Sequence, residues 1–201
     1  SAVVTNEFIS DTYLEMACRY ADLGERKEAI RIASPYISDP MVALHLDAWS
    51  RASGIVTDKY LQGVLGGQAE LVFPYRPESA IELDRLLLTN DHWKLHYYRA
   101  LIAWYMDDPE VAQRHFDACG AAPDFAGFYL SRFEFDETRQ GGALSDLQRA
   151  FTLSPDWRGY SAQIEYYLNH HQPVEALKWA EQAELKFPKD FRLTTPIVQA
   201  L

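Results

Sequence analysis

The sequence predicts an all-α chain, a right-handed solenoid of about five helical hairpins. Three observations predict it: alanine recurs at a fixed beat, apolar residues between the alanines fall three and four apart, and glycine or proline punctuates each hairpin at corresponding places. Ala80, Ala112, Ala143 and Ala176 stand 32, 31 and 33 residues apart, and Ala29 lies 51 residues before Ala80, one repeat plus an insertion. A period near 34 residues marks stacked helix-turn-helix units. Such arrays generally serve as binding scaffolds and not as reaction centres.

Taken in order, the units are residues 10–40, 41–91 with an insertion over 54–76, 92–123, 124–156 and 157–190, followed by a helical segment over 191–201, all in one repeat domain. In the first unit, Leu14, Ala17, Cys18 and Ala21 form a helical stripe. Gly24 permits the left-handed turn that ends that helix, Ala29, Ile30 and Ala33 carry the stripe of the next, and Pro40 marks the exit. In the second unit the first helix covers 41–53 and the second restarts at Pro77. Gly63, Gly66 and Gly67 interrupt any long helix between them. A loop of that length is functional or disordered as a rule, and Val72, Phe73 and Tyr75 suggest that burial pins this one.

The third unit is dense in aromatic residues, with Trp93, Tyr97, Tyr98, Trp104 and Tyr105 on its first helix. Asp107 and Asp108 make the turn, Asp108 as N-cap and Pro109 at the first helical position. The fourth turns at Gly141-Gly142 before Ala143, and the fifth opens its second helix at Pro173. Ala143, Leu147 and Ala150 recur as Ala176, Ala180 and Ala183, and Pro155 as Pro188.

On these residues the chain resembles the tetratricopeptide repeat family. That motif calls for small residues at its positions 8, 20 and 27 and proline at 32. The chain supplies Ala17 and Ala100 at position 8, Ala29, Ala112, Ala143 and Ala176 at position 20, Ala150 and Ala183 at position 27, and Pro155 and Pro188 at position 32. Small side chains let two helices approach to the short end of the roughly 8–10 Å interaxial range. Ser131 and Ile164 depart from the pattern at position 8 and Tyr36 at position 27. A narrower resemblance rests on the strings FPYRPES, WKLHYYRALIAWY, ACGAAPDFAGFYLSR and SPDWR upstream of YYLNHHQPVEAL. Together they look like the carboxy-terminal repeat region of bacterial proteins that carry an amino-terminal β-sandwich, domain of unknown function 5107. This implies a fragment of a longer protein, in keeping with a start at Ser1-Ala2 that looks like a cleavage scar. It also implies an alternative role, as an accessory domain that shapes a carbohydrate-binding or carbohydrate-active sandwich.

The tetratricopeptide register implies a partner-binding groove built from positions 2, 5, 9, 12 and 13 of each first helix. Those positions hold Lys94, Tyr97, Leu101, Trp104 and Tyr105 in the third unit, Phe125, Phe128, Arg132, Phe135 and Asp136 in the fourth, and Arg158, Ser161, Glu165, Leu168 and Asn169 in the fifth. Aromatic residues and arginine dominate binding hot spots, although Trp104 and Phe128 suit a core equally well. In the insertion, Phe73, Tyr75 and Arg76 form a second candidate site. Arg76 there either meets a partner carboxylate or braces the loop.

The expected function is a non-catalytic protein-interaction module whose partner is a protein or peptide, another domain of the same chain included. With 19 Lys and Arg against 29 Asp and Glu, a net charge of −10 argues against nucleic acid and anionic membrane surfaces as partners. Cys18 and Cys119 form no disulfide framework or CxxC motif and point to a reducing, cytoplasmic setting. His92, His96, His115 and Cys119 have a spacing that zinc could use, but it is too common to define a site. No metal and no cofactor is expected. The acidic pairs Asp107-Asp108 and Glu134, Asp136, Glu137 read as caps and solvated surface, and no nucleophile elbow or phosphate loop is present.

Overall fold

Gly24 does what its position demands. It sits at φ +87° after the first helix, Glu25 N–H donates to the carbonyl of Tyr20, and Gly24 N–H donates to that of Ala21. This paired bonding satisfies carbonyls that the helix end would leave orphaned. The same pattern closes the helices before Asp107 and His171, where non-glycine residues take the left-handed conformation at φ 58° and 55°. Gly54, at φ 78° after the third helix, repeats it, so that one device reverses the chain at four hairpins.

The structure is a computed structural model and describes residues 9–70, 72–140 and 143–200. Among them are twelve α-helices and no strand: α1 (Ile9–Asp22), α2 (Arg26–Ala33), α3 (Pro40–Ala52), α4 (Asp58–Gly66), α5 (Pro77–Leu87), α6 (Trp93–Tyr105), α7 (Pro109–Cys119), α8 (Ala126–Gln140), α9 (Leu144–Leu153), α10 (Trp157–Asn169), α11 (Pro173–Lys186) and α12 (Thr194–Ala200). None is long and apolar enough to cross a membrane. The chain divides into two compact units, one ending at Pro123 and the other beginning at Asp124.

In the first unit α1 packs on α2, α3 on α4, and α6 on α7. Ala17, Ala29, Ala100 and Ala112 are fully buried, so the predicted small residues occupy the packed faces. Helix starts follow the sequence: Asp39 accepts hydrogen bonds from the N–H groups of Met41 and Val42 ahead of Pro40, and Asp108 accepts from Val111 N–H ahead of Pro109. Helix α3 differs from its counterparts, because ten of its thirteen residues are buried. Asp47 is among them, neutralised by Arg85 of α5 at 2.8 Å and by Arg51.

The reason lies in the insertion, which is not one long loop. It contains α4, which packs on α3. Gly63 is therefore no helix breaker. A Cβ there would stand 2.9 Å from the Cβ of Ala43, so glycine is what allows α4 to approach α3 closely. The expectation that burial pins Phe73 and Tyr75 is also corrected, since both are exposed. Among the described residues of the insertion Val64, Ala69 and Pro74 are buried, and polar ties do the rest.

In the second unit α8 packs on α9 and α10 on α11, with α12 against both α10 and α11. Tyr160, Ile164, Ala176, Ala180, Ala183, Leu193 and Ala200 form the core between α10, α11 and α12. Tyr160 is ringed edge-on by Phe151, Trp179 and Phe187 at 5.0, 5.8 and 5.7 Å between centroids. Helix α12 buries Pro196 and Ala200 and exposes Thr194, Thr195, Val198 and Gln199. Ala143 is a correction: it is exposed and is the N-cap of α9. Helix α9 starts at Leu144, a turn later than the register requires, so Leu147 and Ala150 are buried instead. The Gly141-Gly142 turn lies outside the described residues.

Candidate functional site

Helix α6 carries the residues predicted for the groove in the first unit, and the insertion reaches two of them, Lys94 and Tyr105. The Lys94 ammonium donates to the carbonyl of Gly67 at 2.6 Å. The ring of Tyr75 meets that of Tyr105 edge-on at 5.9 Å. On its other side the insertion is held to α1: Tyr75 Oη donates to Glu15 Oε1 at 2.6 Å, and Arg76 pairs with the same carboxylate at 2.8 Å. These bonds hold the Glu15 carboxyl below its usual range, the Tyr75 hydrogen bond first and the Arg76 charge second. The segment that carries Phe73, Tyr75 and Arg76 therefore bridges α1 and α6. Arg76 thus ties the insertion to α1.

At this junction of the insertion and α6 three rings stay open to solvent. Phe73 is 68 % exposed, Tyr75 37 % and Tyr105 69 %. Tyr97, by contrast, is buried, and Leu101 and Trp104 are half-buried. Trp104 stands edge-on to Phe116 of α7 at 6.4 Å, which places it in the hairpin packing.

In the second unit Phe128 and Phe135 are buried and Phe125 is half-buried. The Arg132 guanidinium grips buried Asp146 of α9 through two bonds of 2.6 Å and lies over the Phe128 ring at 4.9 Å. It braces the α8–α9 hairpin. Arg158 and Glu165 are exposed on α10, where Arg158 covers the Trp157 ring at 5.2 Å and Glu165 accepts from Ser161 Oγ at 2.8 Å. The predicted list thus mixes presented side chains with side chains used in packing. Arginine and aromatic residues serve both purposes, and their spacing does not separate them.

The histidines have structural employment. His92 caps α6, its Nδ1 accepting from Lys94 N–H at 3.2 Å. His96 and His115 share an Nδ1–Nδ1 hydrogen bond of 2.9 Å between α6 and α7, and His96 Nε2 pairs with Asp91 at 3.0 Å. Burial foremost, then the neighbouring His96, lowers the His115 ring to about 4. The Cys119 thiol donates to the carbonyls of Trp93 and His115 at 3.4 and 3.3 Å. Among the described residues no group of three or more His, Cys, Asp or Glu side chains gathers where it could hold a metal ion.

Sequence reading missed the buried pair His45 Nε2 and Ser79 Oγ at 2.8 Å, which joins α3 to α5. A histidine set between Leu44 and Leu46 was its one signal.

Solved structures align over nearly the whole chain. The thermophilic protein TTC0263 of Thermus thermophilus, described as a tetratricopeptide repeat protein, matches with a TM-score of 0.50 at 17 % identity, over 95 % of this chain and 98 % of its own. The fold is tetratricopeptide-like. A chain of the APC/C hetero-tetramer Cut9-Hcn1 aligns with a TM-score of 0.56 at 15 % identity, over 96 % of this chain and 36 % of its own. A double mutant of MamA RS-1 aligns with a TM-score of 0.51 at 16 % identity, over 90 % and 97 %. No family model and no curated protein matches the chain. None of the three neighbours is described as carrying the β-sandwich named above, so that resemblance rests on the sequence strings alone.

Proposed function

We propose that this tetratricopeptide-like chain is a non-catalytic protein-interaction module. Its partner polypeptide docks on the surface that the insertion and α6 form together. One observation carries the reading: Tyr75 stands edge-on to Tyr105 at 5.9 Å, and both rings, with Phe73, remain open to solvent. Exposed aromatic clusters that a rigid scaffold holds in place favour association, because they bury a large apolar area at little conformational cost. The Glu15 and Lys94 ties supply that rigidity. One structural neighbour belongs to a hetero-tetramer, so the fold is compatible with life in an assembly.

The test is site-specific photo-crosslinking in cells that produce the protein. A benzophenone side chain at position 105 is expected to capture a discrete protein partner, and the same group at exposed Leu185 of α11 is not. Phe73→Ser is expected to abolish the adduct at position 105. Equal capture at both positions, or none at position 105, contradicts the reading.

A further inference from the structure

A cavity of about 400 Å3 opens in the first unit beside the aromatic surface and shares two of its residues, Phe73 and Tyr75. Its other walls come from the start of α1 and from the junction before α3. Tyr36, which stacks on Tyr13 at 4.6 Å, adds a third ring. Asp11, Asp39 and Glu70 contribute carboxylates. Arg76 is the cation among the lining residues, and its charge is already met by Glu15 at 2.8 Å. Asp39 is locked in place as the cap of α3, with Ser10 Oγ donating to its second oxygen at 2.7 Å. Burial foremost, then the Asp39 charge, raises the Asp11 carboxyl above its ordinary range against the opposing charge of Arg76.

Carboxylates alone would be solvated surface. A walled cavity that combines them with three aromatic rings has a defined chemical preference: a cation whose flat or alkyl body lies against the rings while its charge meets the acids. The volume lies at the low end for ligand pockets and suits one long side chain. The opening also adjoins the surface assigned to the partner. We propose that this cavity takes an arginine side chain of the docked polypeptide. This rests on the interaction reading above and adds the partner's chemistry to it.

The probe is N-acetyl-Phe-Arg-amide, titrated into the full chain and followed by amide NMR shifts, with the citrulline analogue and argininamide as comparators. The arginine peptide is expected to shift the amides of Tyr75, Arg76 and Ser79 saturably. It should bind at least about tenfold more tightly than the citrulline peptide, a gap of about 1.4 kcal/mol. Asp11→Asn with Glu70→Gln is expected to remove that gap. Should this double variant fail to fold, raising ionic strength from about 0.01 to about 0.5 M is expected to weaken the arginine peptide and leave the citrulline peptide unchanged. Equal binding of citrulline and arginine peptides overturns the proposal, as do shifts confined to other regions. Argininamide binding as tightly as the peptide assigns the cavity to a small cation and overturns the polypeptide claim. Failure of the underlying reading is distinguishable. A partner captured at position 105 equally by the double variant refutes the cavity alone, whereas peptide binding without any captured partner refutes the docking surface alone.

Discussion

Lys94 reaches out of α6 to the carbonyl of Gly67 at 2.6 Å, and that bond changes the role of the residue. The repeat register places Lys94 in a binding groove. Instead its charge fastens the insertion across the first helices of its unit, above a helix α3 that is buried on nearly every side.

Lys94→Met is therefore expected to loosen the insertion without unfolding the hairpins. A hydrogen bond from a charged donor, half-buried as here, contributes about 1 kcal/mol. Hydrogen exchange by mass spectrometry should quicken over 67–76 and stay unchanged in α10 and α11.

Gly63→Ala should destabilise the chain, against the usual direction for an alanine in a helix. Helix propensity favours the change by about 1 kcal/mol, but the new methyl meets the fixed Cβ of Ala43 at 2.9 Å. Overpacking of this kind costs about 1–3 kcal/mol. The net loss should appear in urea midpoints, and Ala43→Gly in the same chain should recover part of it. Additive effects of the two changes would place α4 elsewhere.

Much of the fold was legible in the sequence, and the failures have physical causes. Ala29, Ala80, Ala112 and Ala176 announce close-packed helices because tight packing leaves no room for more, and all four are buried. Ala143 kept the beat and lost the role because α9 begins after it. Helix α4 was hidden because a glycine that permits close approach and one that breaks a helix look alike until the neighbour is known. The surface was half legible: Tyr75 and Tyr105 were each singled out, yet they lie thirty residues apart, and nothing local says that the insertion folds back to join them.

That difference in register separates two substitutions. Ala143→Leu, at an exposed N-cap, should change stability by no more than about 0.5 kcal/mol. Ala176→Leu, at a fully buried position, should cost about 1–3 kcal/mol. Thermal melts of the two variants side by side decide the matter, and a large loss for Ala143→Leu would restore the original register of the fourth hairpin.

Stability should fall on mild acidification. Burial foremost, then the charge of Arg76, lowers the His45 ring to about 4, and burial lowers His115 to the same region. In the unfolded chain both rings titrate near 6.5. Between those values the unfolded state binds more protons, so stability is complete above about 6.5 and drains away as pH falls toward about 4. For His45 alone the loss is on the order of 3 kcal/mol. Urea midpoints measured across this window should decline, and His45→Gln should flatten the decline. A midpoint that is constant across the window would contradict the buried neutral ring.

The account depends above all on the insertion lying against α6, and proton–proton NOEs between the rings of Tyr75 and Tyr105 test this most directly. The geometry predicts cross-peaks between the two side chains in the free protein, weakened in Lys94→Met. A Tyr105 ring that shows contacts only within its own helix, beside freely averaging signals for Phe73 and Tyr75, would contradict the composite surface.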